Sequence, residues 1–468
     1  MDGDKKLGLS LLVALGVGSM IGGGIFNSPT DLIGSTNPQA VLLSWIIGGF
    51  GVIFLALVFQ LLANKRPKLT GGIFTYAKEG FGDFTGFNSA WGYWLSAWLG
   101  NVAFFILMIK TLDSLVGGMK PLVSFILASL ILWIVHWIQL RGTKSAGIIN
   151  AIATVAKIIP LLLVIILGLL IFNLDTFNVP NWKSVLVATG EPTNLLRQVN
   201  SAMGIILWCF IGVEAATVLS ERAKSAKIVG AATILSLLIT LALYMLVSIV
   251  SMGVVPGEIL LNSQTPLADV LARTVIGRSG AIIVKLGLLI SLLGCLISWV
   301  MLAAEIPYVA AKGGTMPKWF MKQNKNGAPS NSLLLTDILT QIFLLSLLLP
   351  VLQSAYNNVF LIATTCMLIP YLFSSLYAIK VAKDDKLGFK DMFISIIASI
   401  YSLYVIFAVG IQYLGAALIM YALGIGIYIK AKKEKEKEIT SKEKGAMTVI
   451  ILLAIFMIAM IGIGRIQL

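Results

Sequence analysis

The sequence predicts an all-α integral membrane protein, and three observations carry that expectation. Of 468 residues, 58% are hydrophobic and only 12% charged, with a mean hydropathy of +0.94, far from the balance of a soluble domain. Apolar stretches of about 20 residues, the length a helix needs to cross a hydrocarbon core, recur from end to end. Segments such as PLLLVIILGLLIF at 160 to 172 lack the alternation a membrane-spanning β-strand requires.

Thirteen stretches fit helical spans: 9 to 34, 39 to 62, 84 to 113, 121 to 141, 147 to 172, 195 to 220, 228 to 254, 280 to 311, 331 to 350, 355 to 380, 391 to 410, 411 to 430 and 446 to 464. The first is longer than a signal-peptide core and no small-residue cleavage site follows it, so it is expected to be a retained span. Cys209, Cys295 and Cys366 all fall inside apolar segments. Without a CxxC or Cys/His cluster they read as small hydrophobes.

The net charge of +14 follows topology and not nucleic acid. With Lys5 and Lys6 cytoplasmic, the inner loops collect Lys65, Arg66, Lys68, Lys78, Arg141, Lys144, Arg222, Lys224, Lys227, Lys312, Lys318, Lys322, Lys325, Lys380, Lys383, Lys386 and Lys390. The outer loops keep chiefly Lys120, Lys183, Arg273 and Arg278. The positive-inside rule therefore predicts a cytoplasmic N-terminus in a multi-pass plasma-membrane protein. The run KAKKEKEKEITSKEK at 430 to 444 reads as a solvated linker, with attraction to anionic lipid as a second reading.

The first span contains GSMIGGGIF, Gly18 to Phe26. In hydrocarbon a helix cannot leave backbone N–H and C=O groups unpaired, so interrupted backbone belongs where protein or a water-filled cavity surrounds it. Gly22, Gly23 and Gly24 mark such a point, and without Cβ atoms their amides admit a ligand closely. A close helix crossing of small residues, for which Gly18 and Gly22 qualify, is the other reading. The sixth span, in WCFIGVEAATVLSERAK, is interrupted at Gly212 and Glu214. Helices 1 and 6 are corresponding members of two five-helix halves, the arrangement that points to a transporter's midplane site. An odd number per half requires the second to be inverted. The expected organisation is a twelve-helix core over 1–430 with inverted repeats at about 9–172 and 195–380, a charged cytoplasmic linker at 431–445, and an extra transmembrane helix in 446–468.

GSMIGGGIF, WGYWLSAWLGN at 91 to 101, WCFIGVEAA, and AAEIPYVAAKGGTMPKWFMKQNKNGAP at 303 to 329 together resemble the amino acid/polyamine/organocation (APC) transporters. Within that superfamily the chain is most similar to the basic amino acid/polyamine antiporters of the arginine/ornithine branch. The resemblance implies a leucine-transporter-type fold of about 12 to 13 transmembrane helices, with helices 1 and 6 broken and the substrate between the breaks. It assigns Met20, Gly23 and Gly24 to the substrate's carboxylate and amino groups, and Gly212, at the second interruption, is a further substrate-binding candidate. Family members often carry Ser where Gly23 stands, so here backbone alone must serve. The physics agrees: half-helix N-termini offer free amides to a carboxylate, and C-terminal ends offer carbonyls to an ammonium.

By the same resemblance Trp208 and Trp299 lie over the substrate's side chain. A cation over an indole face gains about 0.5 to 2 kcal/mol. Asn101, with Tyr93 and Ser96, supplies oxygen acceptors to the side-chain head. Glu214, ionisable beside a break, reads as a gating or pH-sensing group, or as a simple cap on broken backbone. Lys157 in TVAKIIPLLL stands where some relatives use a helix 5 lysine in place of sodium; snorkelling to the inner face is the alternative. Lys110 and Lys285 are expected to snorkel, Glu305 to pair with an inner-loop cation, and the lone His136 to bind no metal.

These readings converge on exchange of a cationic amino acid for its smaller amine product, arginine for ornithine first, by alternating access. Agmatine/putrescine or another amino acid/amine pair, and proton-coupled uptake, are the rivals. No nucleophile with its base and no GxxxxGK[ST] run stands in the chain, so no enzyme, cofactor or metal is expected. The expected partners are the small-molecule substrate and membrane lipid, with room for a homodimer and none for nucleic acid.

Overall fold

The structure, a computed structural model, describes residues 8–69, 72–141, 146–214, 224, 226–348 and 355–466. Among these it is helical, and the one β feature is an isolated bridge between Val185 and Pro192. The helices are α1 (Leu9–Met20), α2 (Gly23–Ile33), α3 (Pro38–Lys65), α4 (Ile73–Phe81), α5 (Asp83–Val116), α6 (Pro121–Leu140), α7 (Ala146–Leu170), α8 (Leu174–Phe177) and α9 (Leu195–Phe210). There follow α10 (Ala226–Val254), α11 (Gly257–Leu261), α12 (Pro266–Ala272), α13 (Gly277–Lys312), α14 (Ser330–Leu344), α15 (Ala355–Asp384), α16 (Phe389–Ala408), α17 (Ile411–Glu434) and α18 (Ser441–Gly462).

Ten of these are long and apolar enough to cross a membrane, and α1 with α2, bent by 43° at its break, passes the same test as a pair. Ala156–Leu170 and Leu195–Phe210 are shorter apolar helices. The chain is thus a multi-pass membrane protein, and each of the thirteen apolar stretches coincides at least in part with helix among the described residues. Where the expected limits move, the cause is local. The sixth span, expected to 220, leaves helix after Phe210, and 215–223 lie outside the described residues. The last begins at Ser441 and not at 446, because Thr440 and Glu443 form a reciprocal capping box that satisfies two end amides. α4, which hydropathy did not foresee, runs between Gly72 (φ 82°) and Gly82 (φ 91°).

The chain divides into two compact units. One comprises Met1–Gln60, Phe104–Ser124 and Ala146–Cys295; the other comprises Leu61–Ala103, Phe125–Ser145 and Leu296–Leu468. In the first, α1 packs on α10 and α7, while α2 packs on α9, α11 and α12. The α1/α10 seam is built on Leu12, Val229 and Ala232, all fully buried. A Cβ at Gly16 would stand 2.6 Å from Ser236 Oγ, so the small residue sets how closely these helices approach. In the second unit α15 packs on α4, α16 and α17, and α17 on α18. Arg66 grips Asp385 there with two parallel bonds of 2.7 and 2.8 Å.

Thr440→Ala is expected to lower stability by about 1 kcal/mol, with the loss concentrated in the first turn of α18. Hydrogen exchange of that turn in detergent checks it; unchanged protection would show that the capping box contributes nothing.

Candidate functional site

The first unit holds both chain discontinuities. α1 closes at Ile21 (φ −70°, ψ 94°), whose N–H bonds Val17 O, and α2 opens after the extended Gly22 (φ −118°, ψ −153°). An interrupted helix frees carbonyls on one side and amides on the other. The carbonyl end is well provided for: Lys157 Nζ donates to Gly18 O at 2.7 Å, Tyr244 Oη to Met20 O at 2.7 Å, and Cys295 Sγ lies 3.9 Å from Ile21 O. At the amide end the N-cap is Gly22, which has no side chain with which to accept from the first amides of α2. The first N–H groups of α2, which have no partner within the helix, lie at the positive end of a helix dipole and have no N-cap side chain.

Around these amides the glycines face different neighbours. A Cβ on Gly24 would stand 2.9 Å from Trp208 Cδ1 and 3.2 Å from Cys209 Sγ; one on Gly23 would stand 2.8 Å from both Leu107 and Leu292 Cδ2. A serine at Gly23 thus has no room without movement of two leucine side chains, which is why backbone alone can serve there. At Gly22 a Cβ would make ordinary contacts of 3.5 to 3.6 Å with Phe104 and Cys295. The Trp208 ring, 7% exposed, is tilted against Phe104 with centroids 5.7 Å apart.

The second discontinuity closes α9. Ile211 turns out of helix (φ −59°, ψ 127°) and Gly212 adopts φ 110°, a conformation that L side chains avoid. A Cβ at Gly212 would stand 2.8 Å from Ser19 O, and Ser19 Oγ lies 3.0 Å from Gly212 O. The two interruptions therefore touch, backbone against backbone. Glu214, 1% exposed, accepts the Gly212 N–H at 3.1 Å, so it caps the broken backbone whatever else it does. Lys157, likewise 1% exposed, adds a 3.7 Å contact to Cys295 Sγ. Its ammonium joins α7 to the end of α1 and to α13, and does not reach for a membrane surface.

The first unit therefore brings together Met20, Gly23, Gly24, Trp208, Gly212, Glu214 and Lys157. Tyr93, Ser96, Asn101 and Trp299 belong to the second, where all four are buried. Both amide atoms of Asn101 and Ser96 Oγ are buried with no hydrogen-bond partner among the described residues. Such atoms are costly to leave unpaired and call for a ligand, water or ion.

Several partners escaped sequence reasoning. Tyr244 lies 224 positions from the carbonyl it caps. His136, expected only to bind no metal, lies within α6 and is 2.6 Å from Oδ2 of the buried Asp337 of α14. Among the described residues no group of three or more His, Cys, Asp or Glu could hold a metal. Lys285 donates to Ser114 O at 3.0 Å, and Glu305 has Lys312 as its electrostatic partner. Asp31, an ionisable residue inside the first span, was the signal available and unused.

A bundle of apolar helices with paired interruptions defines a membrane transporter. Residues 7–414 match the Amino acid permease family, and the chain belongs to it. It is 41% identical over 437 residues to an arginine/ornithine antiporter of Pseudomonas aeruginosa, covering 90% of each chain. It is 36% identical over 480 residues to an arginine/agmatine antiporter of Chlamydia felis, covering 99% of this chain and 98% of the relative. Its identity to an arginine/agmatine antiporter of Chlamydia pneumoniae is 37%, with the same coverage.

Gly212→Ala should cost about 1 to 3 kcal/mol through forced backbone strain. Gly426→Ala, on α17 with nothing within 4 Å of the added Cβ, should be neutral or stabilising by up to about 1 kcal/mol. Thermal unfolding of both variants in detergent checks the contrast; equal midpoints would refute it.

Proposed function

We propose that this protein is an amino acid antiporter of the plasma membrane, N-terminus inside, that exchanges a cationic amino acid for its smaller amine product, arginine against ornithine first. The observation that carries this reading is the amide end of α2, without a side-chain cap and beside Trp208. A carboxylate fits the free N–H groups, and a cationic group can lie over the indole at a gain of about 0.5 to 2 kcal/mol. The substrate's carboxylate is held by peptide dipoles, with no charged side chain as its partner that would have to be desolvated again when it leaves. Residues 1–430 form the transporting core on this reading. In the second unit, Tyr93, Ser96, Asn101 and Trp299 are the further substrate-binding candidates, with the Asn101 amide and Ser96 hydroxyl lacking hydrogen-bond partners among the described residues.

Exchange, as opposed to ion-driven uptake, is supported by Lys157. An ammonium fixed on the protein occupies the carbonyls that a transported cation would otherwise need, and it cannot dissociate with the substrate. Glu214 would bias opening by holding or releasing the Gly212 amide. A second pairing, arginine against agmatine, is favoured by the names of the two chlamydial relatives and uses the same end-group chemistry.

In proteoliposomes loaded with ornithine, labelled arginine should accumulate at least about tenfold above liposomes empty of internal substrate, a discrimination equivalent to ~1.4 kcal/mol. Equal uptake into empty liposomes under a proton gradient would overturn antiport, and a panel of internal amines assigns the pair. Lys157→Met should lose most exchange and about 1 to 3 kcal/mol of stability. Wild-type rates in that variant would remove the fixed-cation role.

A further inference from the structure

Asp31 is used by nothing described above. It lies in the last turn of α2, seven residues beyond Gly24, so the two share a helix face about 10 Å apart along the axis. That face meets Trp208 and Cys209 at Gly24, and Asp31 is itself an electrostatic neighbour of Cys209. Its Oδ1 accepts from Asn27 Nδ2 at 2.7 Å, whereas Oδ2 is buried with no hydrogen-bond partner among the described residues. Lys110 of α5 is the cation that acts on it.

Local structure does not reward a carboxylate at this position. The last turn is the negative end of the helix dipole, where an anion is disfavoured, and an ionisable group within a span is costly wherever it stands. Asn27 orients the group by one oxygen and leaves the other as an acceptor. A substrate whose carboxylate rests on the first amides of α2 can extend its side chain along the face that leads to Asp31. A guanidinium, with N–H donors in a planar fork, suits a carboxylate with a spare oxygen.

We propose that Asp31 determines charge specificity, its free oxygen receiving the cationic end of the substrate while Lys110 balances the carboxylate in the empty protein. This rests on the cationic-substrate reading given above. A neutral side chain of the same shape cannot replace the ammonium, so it is turned away because the Asp31–Lys110 interaction stays in place.

The test compares arginine with citrulline, its uncharged isostere, as substrate and competitor in counterflow by the full-length protein in liposomes. Asp31→Asn is expected to raise the KM for arginine by about tenfold or more, as loss of a charge-assisted hydrogen bond requires, and to leave inhibition by citrulline almost unchanged. An arginine-to-citrulline preference equal to wild type, or an equal loss for both, overturns the proposal. Should the asparagine variant fail to fold in detergent, Asp31→Glu, which keeps the charge and moves it, must alter the arginine KM alone; an unaltered KM overturns it equally. If the wild-type protein exchanges no cationic amino acid, the functional reading fails and Asp31 with it. If wild-type exchange stands and the variants keep its preference, only the role of Asp31 falls.

Discussion

The first unit depends on one constraint: backbone groups released by interrupting a helix inside a membrane must find partners, because lipid offers none. An unpaired buried amide or carbonyl costs a few kcal/mol. At the break between α1 and α2 side chains meet the cost on the carbonyl side. Lys157 and Tyr244 each bring a donor to a carbonyl at the end of α1, 2.7 Å away in both cases. The opening amides of α2 have no side-chain cap. The asymmetry matters more than the break itself, since a helix interrupted only to bend would have both ends sealed.

The second discontinuity shows how closely the space is drawn. Gly212 faces Ser19 at a distance no Cβ could share, and Ser19 hydroxyl and Glu214 carboxylate take up the carbonyl and amide of that same glycine. One residue's two backbone groups are therefore satisfied by two side chains from opposite sides of the contact. A change in the backbone at Gly212 alters what both see, so the interruptions of α1 and α9 are mechanically joined as well as adjacent.

Much of this was legible in the sequence, and what was not has a physical pattern. Spans were legible because hydropathy over about 20 residues is a sum that individual residues barely perturb. Gly22 to Gly24, Gly212 and Lys157 were legible because each violates what a plain membrane helix tolerates. Their partners were not. Tyr244 and Met20, or His136 and Asp337, are separated by more than 200 positions, and no local pattern encodes which turn of one helix meets which turn of another. α4 escaped because a nine-residue amphipathic helix carries too little apolar length for a span. Residues 215–220, the last part of the sixth expected span, lie outside the described residues.

The buried charges of the first unit bear on how such a protein can work without a driving ion. Lys157 is 1% exposed, and desolvation of an ammonium is offset only if carbonyl dipoles replace its water. The end of α1 supplies that replacement through Gly18 O, at the negative pole of the helix dipole, where a cation is favoured. A mobile cation in that place would contribute its own gradient each time it left with the substrate. A cation covalently fixed to α7 cannot leave, so it joins α1, α7 and α13 and contributes no gradient. On the proposed reading, the energy for movement must then come from the substrates themselves, and one cation entering as another leaves is the cycle that such a fixed charge allows.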